Sequence, residues 1–270
     1  SPITYNDVLG DKVKGNNETS AKRLKSTIQN TFKGEDAAAL RNLFKLDNDG
    51  LTMATIDEEQ FTSAIANLSP AEQDLAYAYF SAINDQSSTH IVEMIKRFEN
   101  VSAEGVKKIN YTTGLEIDMN AGGGINSSSE SSSYSVIVYD TQAKGNYNGK
   151  NASKQPNSPG ELLAHEMLGH GFGNTSGSST SNYEDAIQLS NLYRRVQGFS
   201  SFRDGEDHSR HGRPVMSTAN ANKIPSYITM PLDMQIKVND KKKSEYPIIN
   251  PIDNGVSQPN YVSDPPLKIQ

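Results

Sequence analysis

The sequence predicts an α+β fold in which a helical segment precedes a segment with a small antiparallel sheet. Apolar residues recur at helical spacing through about the first hundred residues, and two runs rich in β-branched and aromatic residues follow them. Apolar residues make up 34% of the 270-residue chain, against roughly 45–50% in an ordinary globular domain, a figure that also counts Gly. We therefore expect a modest core and a large share of loop.

Charge and composition exclude several classes of protein. The chain carries 26 basic and 32 acidic residues, a net charge of −6, so nucleic acid is not an expected partner. No apolar run approaches the roughly 18 residues of a membrane span, and the first residues do not resemble a signal peptide. The seven Asn-x-Ser/Thr sequons would be awkward for a eukaryotic secretory enzyme and favour a bacterial origin.

Residues 1–103 are predicted to form a helical domain. Apolar residues at helical spacing predict helices over residues 19–32, 36–46 and 57–68. A further helix begins at Ser69, which is followed by Pro70 and, three positions on, by Glu72. A last helix is predicted over residues 90–98.

Residues 104–246 are predicted to form a second domain, and residues 247–270 an irregular tail rich in Pro and Asn. Strands are predicted over residues 107–119 and 133–139, joined by a Gly- and Ser-rich loop. Two helices follow, and each begins with a capping box. The capping box of the first helix extends from Ser158 to Glu161. That of the second extends from Ser181 to Glu184, and this helix is predicted to end at Gly198.

The first of these two helices contains the sequence HEMLGH, which places His165, Glu166 and His170 close together. The pattern H-E-x-x-x-H would arise by chance in about 0.005 of chains of this composition, so its presence is evidence for a functional site. Because the chain has no Cys, any metal ion must be held by His and carboxylate groups. The sequence therefore predicts a metal site, with Zn²⁺ as the ion.

The spacing between the two His residues departs from the usual zinc-protease motif, in which they are four positions apart on one face of a helix. Five positions on a regular helix leave two side chains roughly 140° apart. A bulge of one residue would bring them together, and such π-bulges are frequent at functional sites. Gly169, directly before His170, is where the backbone is most easily distorted.

The stretch LAHEMLGHG, residues 163–171, resembles the six-residue zinc motif of the dipeptidyl peptidase III family. Over residues 107–200 the chain is similar to the zincin-like metallopeptidase domains of Rhs-type polymorphic toxins and bacterial effector proteases. The similarity also includes the strand at residues 136–139 and the helix at residues 184–194. Ser190 departs from the pattern, which often has Glu there.

The resemblance implies a zincin-like zinc metallopeptidase, secreted or delivered into a target cell, which acts on a protein or peptide substrate. A cognate inhibitor or immunity protein would be a second partner. In such an enzyme His165 and His170 bind Zn²⁺, and Glu166 is the general base. Glu184 is the third ligand that the resemblance suggests, although a capping box would turn its carboxylate back to the backbone.

Two roles stay open at the level of sequence. Other candidates for the third metal ligand are Asp185, Glu161, His208 and His211. The donor that stabilises the oxyanion is one of four residues: Tyr193, His208, His211 or Tyr227. Tyr193 and His208 are included in the predicted catalytic set.

Two other functions compete with a metallopeptidase. One is a binding module that holds Zn²⁺ without catalysing a reaction. The other is a metal-dependent amidase that acts on peptidoglycan, although the net negative charge gives no support for an anionic cell-wall substrate.

Overall fold

The fold combines helices with a small four-stranded sheet. The structure is a computed structural model, and it describes residues 12–109, 123–142, 144–145, 155–176, 182–199, 202–203 and 222–241. The predicted combination of helices and a small sheet is confirmed within these ranges. The tail predicted for residues 247–270 lies outside them.

Three of the first four helices, α1, α3 and α4, begin where the sequence supplies a capping side chain. The Asn17 and Asp57 side chains accept hydrogen bonds from the backbone N–H groups of Ser20 and Gln60, and Ser69 forms the predicted capping box with Glu72. The helices predicted over residues 19–32, 36–46 and 57–68, and the helix predicted to begin at Ser69, are confirmed. The elements are β1 (Val13–Gly15), α1 (Glu18–Thr31), α2 (Ala38–Leu43), α3 (Glu58–Ile65) and α4 (Pro70–Asn84).

The helix predicted over residues 90–98 was wrong, because β2 (Thr89–Ile95) is a strand. Its Ile91, Val92 and Ile95 side chains are β-branched, which favours extended backbone. The last four residues of β2 are all buried. The alternation that marks a half-buried strand is therefore missing from its sequence.

The strand predicted over residues 107–119 was also wrong at its beginning, because α5 (Ala103–Ile109) is a helix. The Ser102 hydroxyl accepts a hydrogen bond from the backbone N–H of Gly105 at 3.0 Å, the contact made by an N-cap residue. Residues 110–119 lie outside the described ranges.

The main sheet has the strand order β1-β2-β4-β3. It is completed by β3 (Gly124–Ser128) and β4 (Ser132–Val138), and β4 confirms the strand predicted over residues 133–139. The β1–β2 and β2–β4 pairs are parallel, and β3–β4 is antiparallel. The predicted antiparallel sheet was thus wrong for two of its three pairs, because β2 enters it from the N-terminal segment.

Strands from both predicted domains share this sheet. β2 lies within residues 1–103, and β4 lies within residues 104–246, yet they pair at every position from Thr89–Ser132 to Ile95–Val138. One cluster of buried apolar side chains also extends from Val13 to Val238. The predicted boundary between the domains therefore falls between two neighbouring strands.

A long helix in three parts lies between the sheet and a second helix. Its parts are α6 (Pro159–Leu163), a π-helix (Ala164–Phe172) and α7 (Gly173–Thr175), and the second helix is α8 (Asn182–Val196). The π-helix packs against β3 and β4 on one side and α8 on the other. The remaining elements are β5 (Lys144–Gly145), β6 (Gln155–Pro156), a short 3₁₀ turn (Ser226–Ile228) and α9 (Leu232–Lys241). None of the helices in the described ranges is both long and apolar enough to cross a membrane.

Candidate metal centre

The π-helix brings His165 and His170 to the same side of one helix. A π-helix closes its hydrogen bonds between residues five apart, as the Gly173 N–H does when it donates to the carbonyl oxygen of Leu168. The ring centroids of the two His side chains are 4.9 Å apart, with the ring planes at 88°. The wider turn thus removes the separation of roughly 140° that a regular helix would impose.

Glycines let this helix approach its neighbours closely. A Cβ atom on Gly169 would lie 2.9 Å from the backbone nitrogen of Ala186 in α8. One on Gly171 would lie 2.6 Å from the Ser133 hydroxyl in β4. Real Cβ atoms essentially never come this close. The observed packing therefore requires Gly at position 169, where the neighbour is backbone, while a Cβ atom at position 171 would displace the Ser133 side chain.

The side chains of His165, Glu166 and His170 form a group that can bind a metal ion. Each offers one ligand atom, and these atoms all lie within 4.8 Å of one another. The three residues are 3%, 5% and 9% exposed. Among the described residues, no other three His, Asp or Glu side chains come together in this way.

The donor set fits a divalent transition metal. Two imidazoles and a carboxylate are ligands that Zn²⁺ accepts, and they also suit iron, cobalt and other ions of this row. The residues therefore fit a metal ion as the cofactor, and more than one metal of this row suits them.

Residues of α8 contact the imidazole ring of His165. Its Nδ1 atom lies 3.0 Å from the carbonyl oxygen of Ala186 and 2.8 Å from the Ser190 hydroxyl. A metal-binding His commonly donates its second ring N–H to such a neighbour, which fixes the orientation of the ring.

The side chain of Glu166 is almost fully buried. Burial raises its pKa to about 8, and the positive charge of Arg203 opposes this rise. Gly124 in β3 lies directly against it, because a Cβ atom there would be 2.9 Å from the carboxylate oxygen Oε1. The proton-binding group of the candidate site thus borders the edge of the sheet.

Glu184, the predicted third ligand, lies in the first turn of α8 and is half-buried. It is not a member of the group formed by the two His residues and Glu166. Ser181, its predicted capping partner, lies outside the described residues. The role of Glu184 as a ligand therefore stays a prediction.

Two of the other candidates for the third metal ligand contact different parts of the structure, and two lie outside the described residues. The Glu161 carboxylate forms an ion pair with Arg194 at 3.1 Å, with both side chains almost fully buried. Asp185 is buried near Gly173, where an added Cβ atom would lie 3.1 Å from its carboxylate. His208 and His211, candidates both for this role and for oxyanion stabilisation, lie outside the described residues.

The two tyrosines predicted as oxyanion donors contact other groups. The Tyr193 hydroxyl accepts a hydrogen bond from Ser158 at the start of α6, at 3.0 Å. The Tyr227 hydroxyl donates to the carbonyl oxygen of Leu168 at 3.2 Å. Burial raises the pKa of both phenols, so both remain protonated at neutral pH.

Sequence reasoning missed three residues beside the site. Arg203 and Ser190 contact the His165 ring, and Tyr183, which is 43% exposed, lies edge-on to His170 with ring centroids 5.5 Å apart. Ser190 was visible only as a departure from a pattern. Arg203 carried no signal, because it follows His165 by 38 positions.

Comparisons with protein-family models, with curated proteins and with solved structures found no match.

Proposed function

We propose that the chain is a zinc-dependent peptidase in which His165 and His170 bind the metal ion and Glu166 is the general base. The observation that carries this proposal is the buried group of two imidazoles and one carboxylate, with ligand atoms within 4.8 Å of one another. Such convergence on one helix is rare without a function, because burying these polar groups is costly.

Zn²⁺ bound to the two His residues would lower the pKa of a water molecule to about 7 and polarise a substrate carbonyl group. Glu166 then takes the proton from the attacking water and delivers it to the leaving amine. Burial raises the pKa of Glu166 to about 8, and a cation bound beside the carboxyl group would lower that pKa and make the carboxylate available as a base. The contact of His165 with α8 keeps the imidazole in position during the reaction.

The edge of the sheet supports an extended peptide as the substrate. β3 is the last strand of the sheet, and no described strand pairs with its outer edge. Its first residue, Gly124, borders the carboxylate of Glu166. A peptide that adds to this edge as a further strand would carry its backbone past the general base.

The resemblance to toxin and effector domains supports a protein of a target cell as the natural substrate. In this proposal the chain is secreted or delivered into that cell, and a cognate inhibitor protects the producing cell. The similarity of residues 107–200 is the support for this part of the proposal.

A second function is favoured by one observation. The carboxylate of Glu166 belongs to the same close group as the two ligand nitrogens, so it can itself serve as the third ligand. The chain would then hold a metal ion without a general base and would act as a binding module.

Substitution of Glu166 by Gln separates the two functions. In a peptidase, Glu166→Gln keeps a stoichiometric metal ion but loses about 10²-fold or more in rate, measured as chelator-sensitive cleavage of unfolded protein substrates. In a binding module, the same variant loses metal affinity, and the wild type cleaves nothing. Glu104→Gln, at an exposed position of α5, is the matched control and should behave as the wild type. A variant with full activity at position 166 would refute the proposed mechanism.

A further inference from the structure

The Nδ1 atom of His165 lies among three polar groups that cannot all bond to it. The Ala186 carbonyl oxygen is 3.0 Å away, the Ser190 hydroxyl 2.8 Å and the Arg203 Nη1 atom 3.0 Å. A carbonyl oxygen only accepts hydrogen bonds, and a guanidinium only donates them. One ring nitrogen can therefore satisfy one of these two neighbours, not both.

The Ser190 hydroxyl contacts both of these neighbours. It donates to the Ala186 carbonyl oxygen at 3.0 Å, and it can accept from the Arg203 Nη1 atom at 3.1 Å. Its remaining lone pair accepts from His165 if the Nδ1 atom carries the proton. The opposite tautomer would place a lone pair of Nδ1 against the Ala186 oxygen. A metal ion bound through the Nε2 lone pair requires the proton on Nδ1, where the Ala186 and Ser190 oxygens can accept it and the Arg203 donor opposes it.

Arg203 places a permanent positive charge beside the same ring. The Asn191 side chain holds its backbone by two hydrogen bonds, from Arg203 N–H at 2.7 Å and to Arg203 C=O at 2.9 Å. The Arg203 side chain is 7% exposed. Because charges interact strongly in a buried site, this guanidinium repels a divalent cation bound to His165.

We propose that Ser190 and Arg203 are positioning residues that act on metal affinity in opposite directions. Ser190 strengthens binding because it fixes the tautomer of His165, and Arg203 weakens binding through its charge. The inference rests on the metal site of the proposed function, and it does not depend on peptide hydrolysis.

Titration of the full chain with Zn²⁺ against a competing chelator tests this inference. Ser190→Ala should weaken binding by about 10–100-fold, the usual effect of removing a group that orients a metal ligand. Arg203→Gln keeps a donor for Ser190 and removes the charge, so it should tighten binding by about tenfold. Arg203→Met should tighten binding as well, and Arg203→Lys, which keeps the charge, should bind as the wild type does.

The opposite signs exclude a purely structural role, because damage to the fold would weaken binding in every variant. Weaker or unchanged binding in both folded neutral variants at position 203 would overturn the role of Arg203. Unchanged binding in Ser190→Ala would overturn the role of Ser190. If the wild type itself binds no Zn²⁺, both this inference and the proposed function fail. Wild-type binding without the opposed shifts removes this inference alone.

Discussion

At the scale of single residues, the buried carboxylate of Glu166 links the site to the stability of the protein. Burial favours its protonated form and raises its pKa from the ordinary value of 4.5 to about 8. In the unfolded chain the same carboxyl group is exposed to water and titrates near its ordinary value. The metal-free folded state therefore binds an extra proton between these two pH values.

This extra proton makes the stability of the metal-free protein depend on pH. Because the pKa is raised in the folded state, the stabilising contribution of Glu166 is complete below about pH 4.5 and is lost as the pH rises toward about 8. We predict that the free energy of unfolding falls more steeply over this range in the wild type than in Glu166→Gln, by up to about 1.4 kcal/mol per pH unit.

Urea unfolding of the two proteins in the presence of a chelator measures the difference. Since every other titrating group is common to both, subtraction isolates Glu166. Parallel pH profiles for the wild type and the Gln variant would show that this carboxylate is ionised in the folded protein.

The residues of the site differ in how far the sequence reveals them. The motif identifies His165, Glu166 and His170, because the residue types and their spacing both appear within six consecutive positions. The structure brings the three side chains together. Arg203 is not visible in this way. Two hydrogen bonds with the Asn191 side chain hold its backbone against α8, and a tertiary contact of this kind leaves no local pattern.

At the scale of elements, the π-helix decides whether the motif can form a site. The sequence predicts where its helix begins, since Ser158 caps it and Pro159 occupies the first turn. The spacing also indicates that a regular helix must be interrupted. The sequence does not indicate that the π-helix extends over nine residues, because its length depends on packing against α8 and the sheet.

Gly169 tests the contact between the π-helix and α8. Its substitution by Ala places a Cβ atom against the backbone of Ala186, so α8 has to move, at a cost of about 1–3 kcal/mol. Since the Ala186 carbonyl oxygen also contacts the His165 ring, we predict weaker metal binding together with lower stability in Gly169→Ala.

Gly198→Ala is the comparison for this prediction. Gly198 has a φ of +72° and open space around it, so Ala costs about 1 kcal/mol of backbone strain there but leaves the metal site intact. Thermal unfolding and Zn²⁺ titration of both variants check the expectation. Equal metal affinities in the two variants would mean that the helix contact does not position His165.

β2 shows why one element was predicted with the wrong type. Its sequence, THIVEMI, is buried over most of its length, including Glu93, which accepts a hydrogen bond from the Tyr134 hydroxyl at 2.7 Å. Central strands lack the polar and apolar alternation that reveals an edge strand. Only its β-branched side chains, those of Thr89, Ile91, Val92 and Ile95, signal the strand in the sequence.

At the scale of the whole molecule, the N-terminal segment contributes directly to the sheet that supports the site. β2 is the parallel neighbour of β4, and the π-helix packs against β4. Loss of residues 1–103 would remove β1 and β2 and expose the inner edge of β4. It would also remove α1 and α4, which supply much of the apolar core.

We therefore predict that a chain beginning at residue 104 does not fold by itself. Without its neighbours the remaining sheet would consist of β3 and β4, and an isolated pair of strands is at best marginally stable in water. Circular dichroism and cooperative unfolding in urea check this expectation. A truncated chain with a sharp unfolding transition and normal Zn²⁺ affinity would instead support the independent domain predicted from the sequence.

The coordination of a bound ion is the most direct test of the central claim, that two imidazoles five positions apart hold one metal ion. X-ray absorption at the zinc edge should be measured on the full chain loaded with one equivalent of Zn²⁺. We predict two imidazole nitrogens at about 2.0–2.1 Å in the wild type and the loss of both in the variant with His165→Ala and His170→Ala. A wild-type spectrum with fewer than two imidazoles, or one that the double substitution leaves unchanged, would contradict the claim.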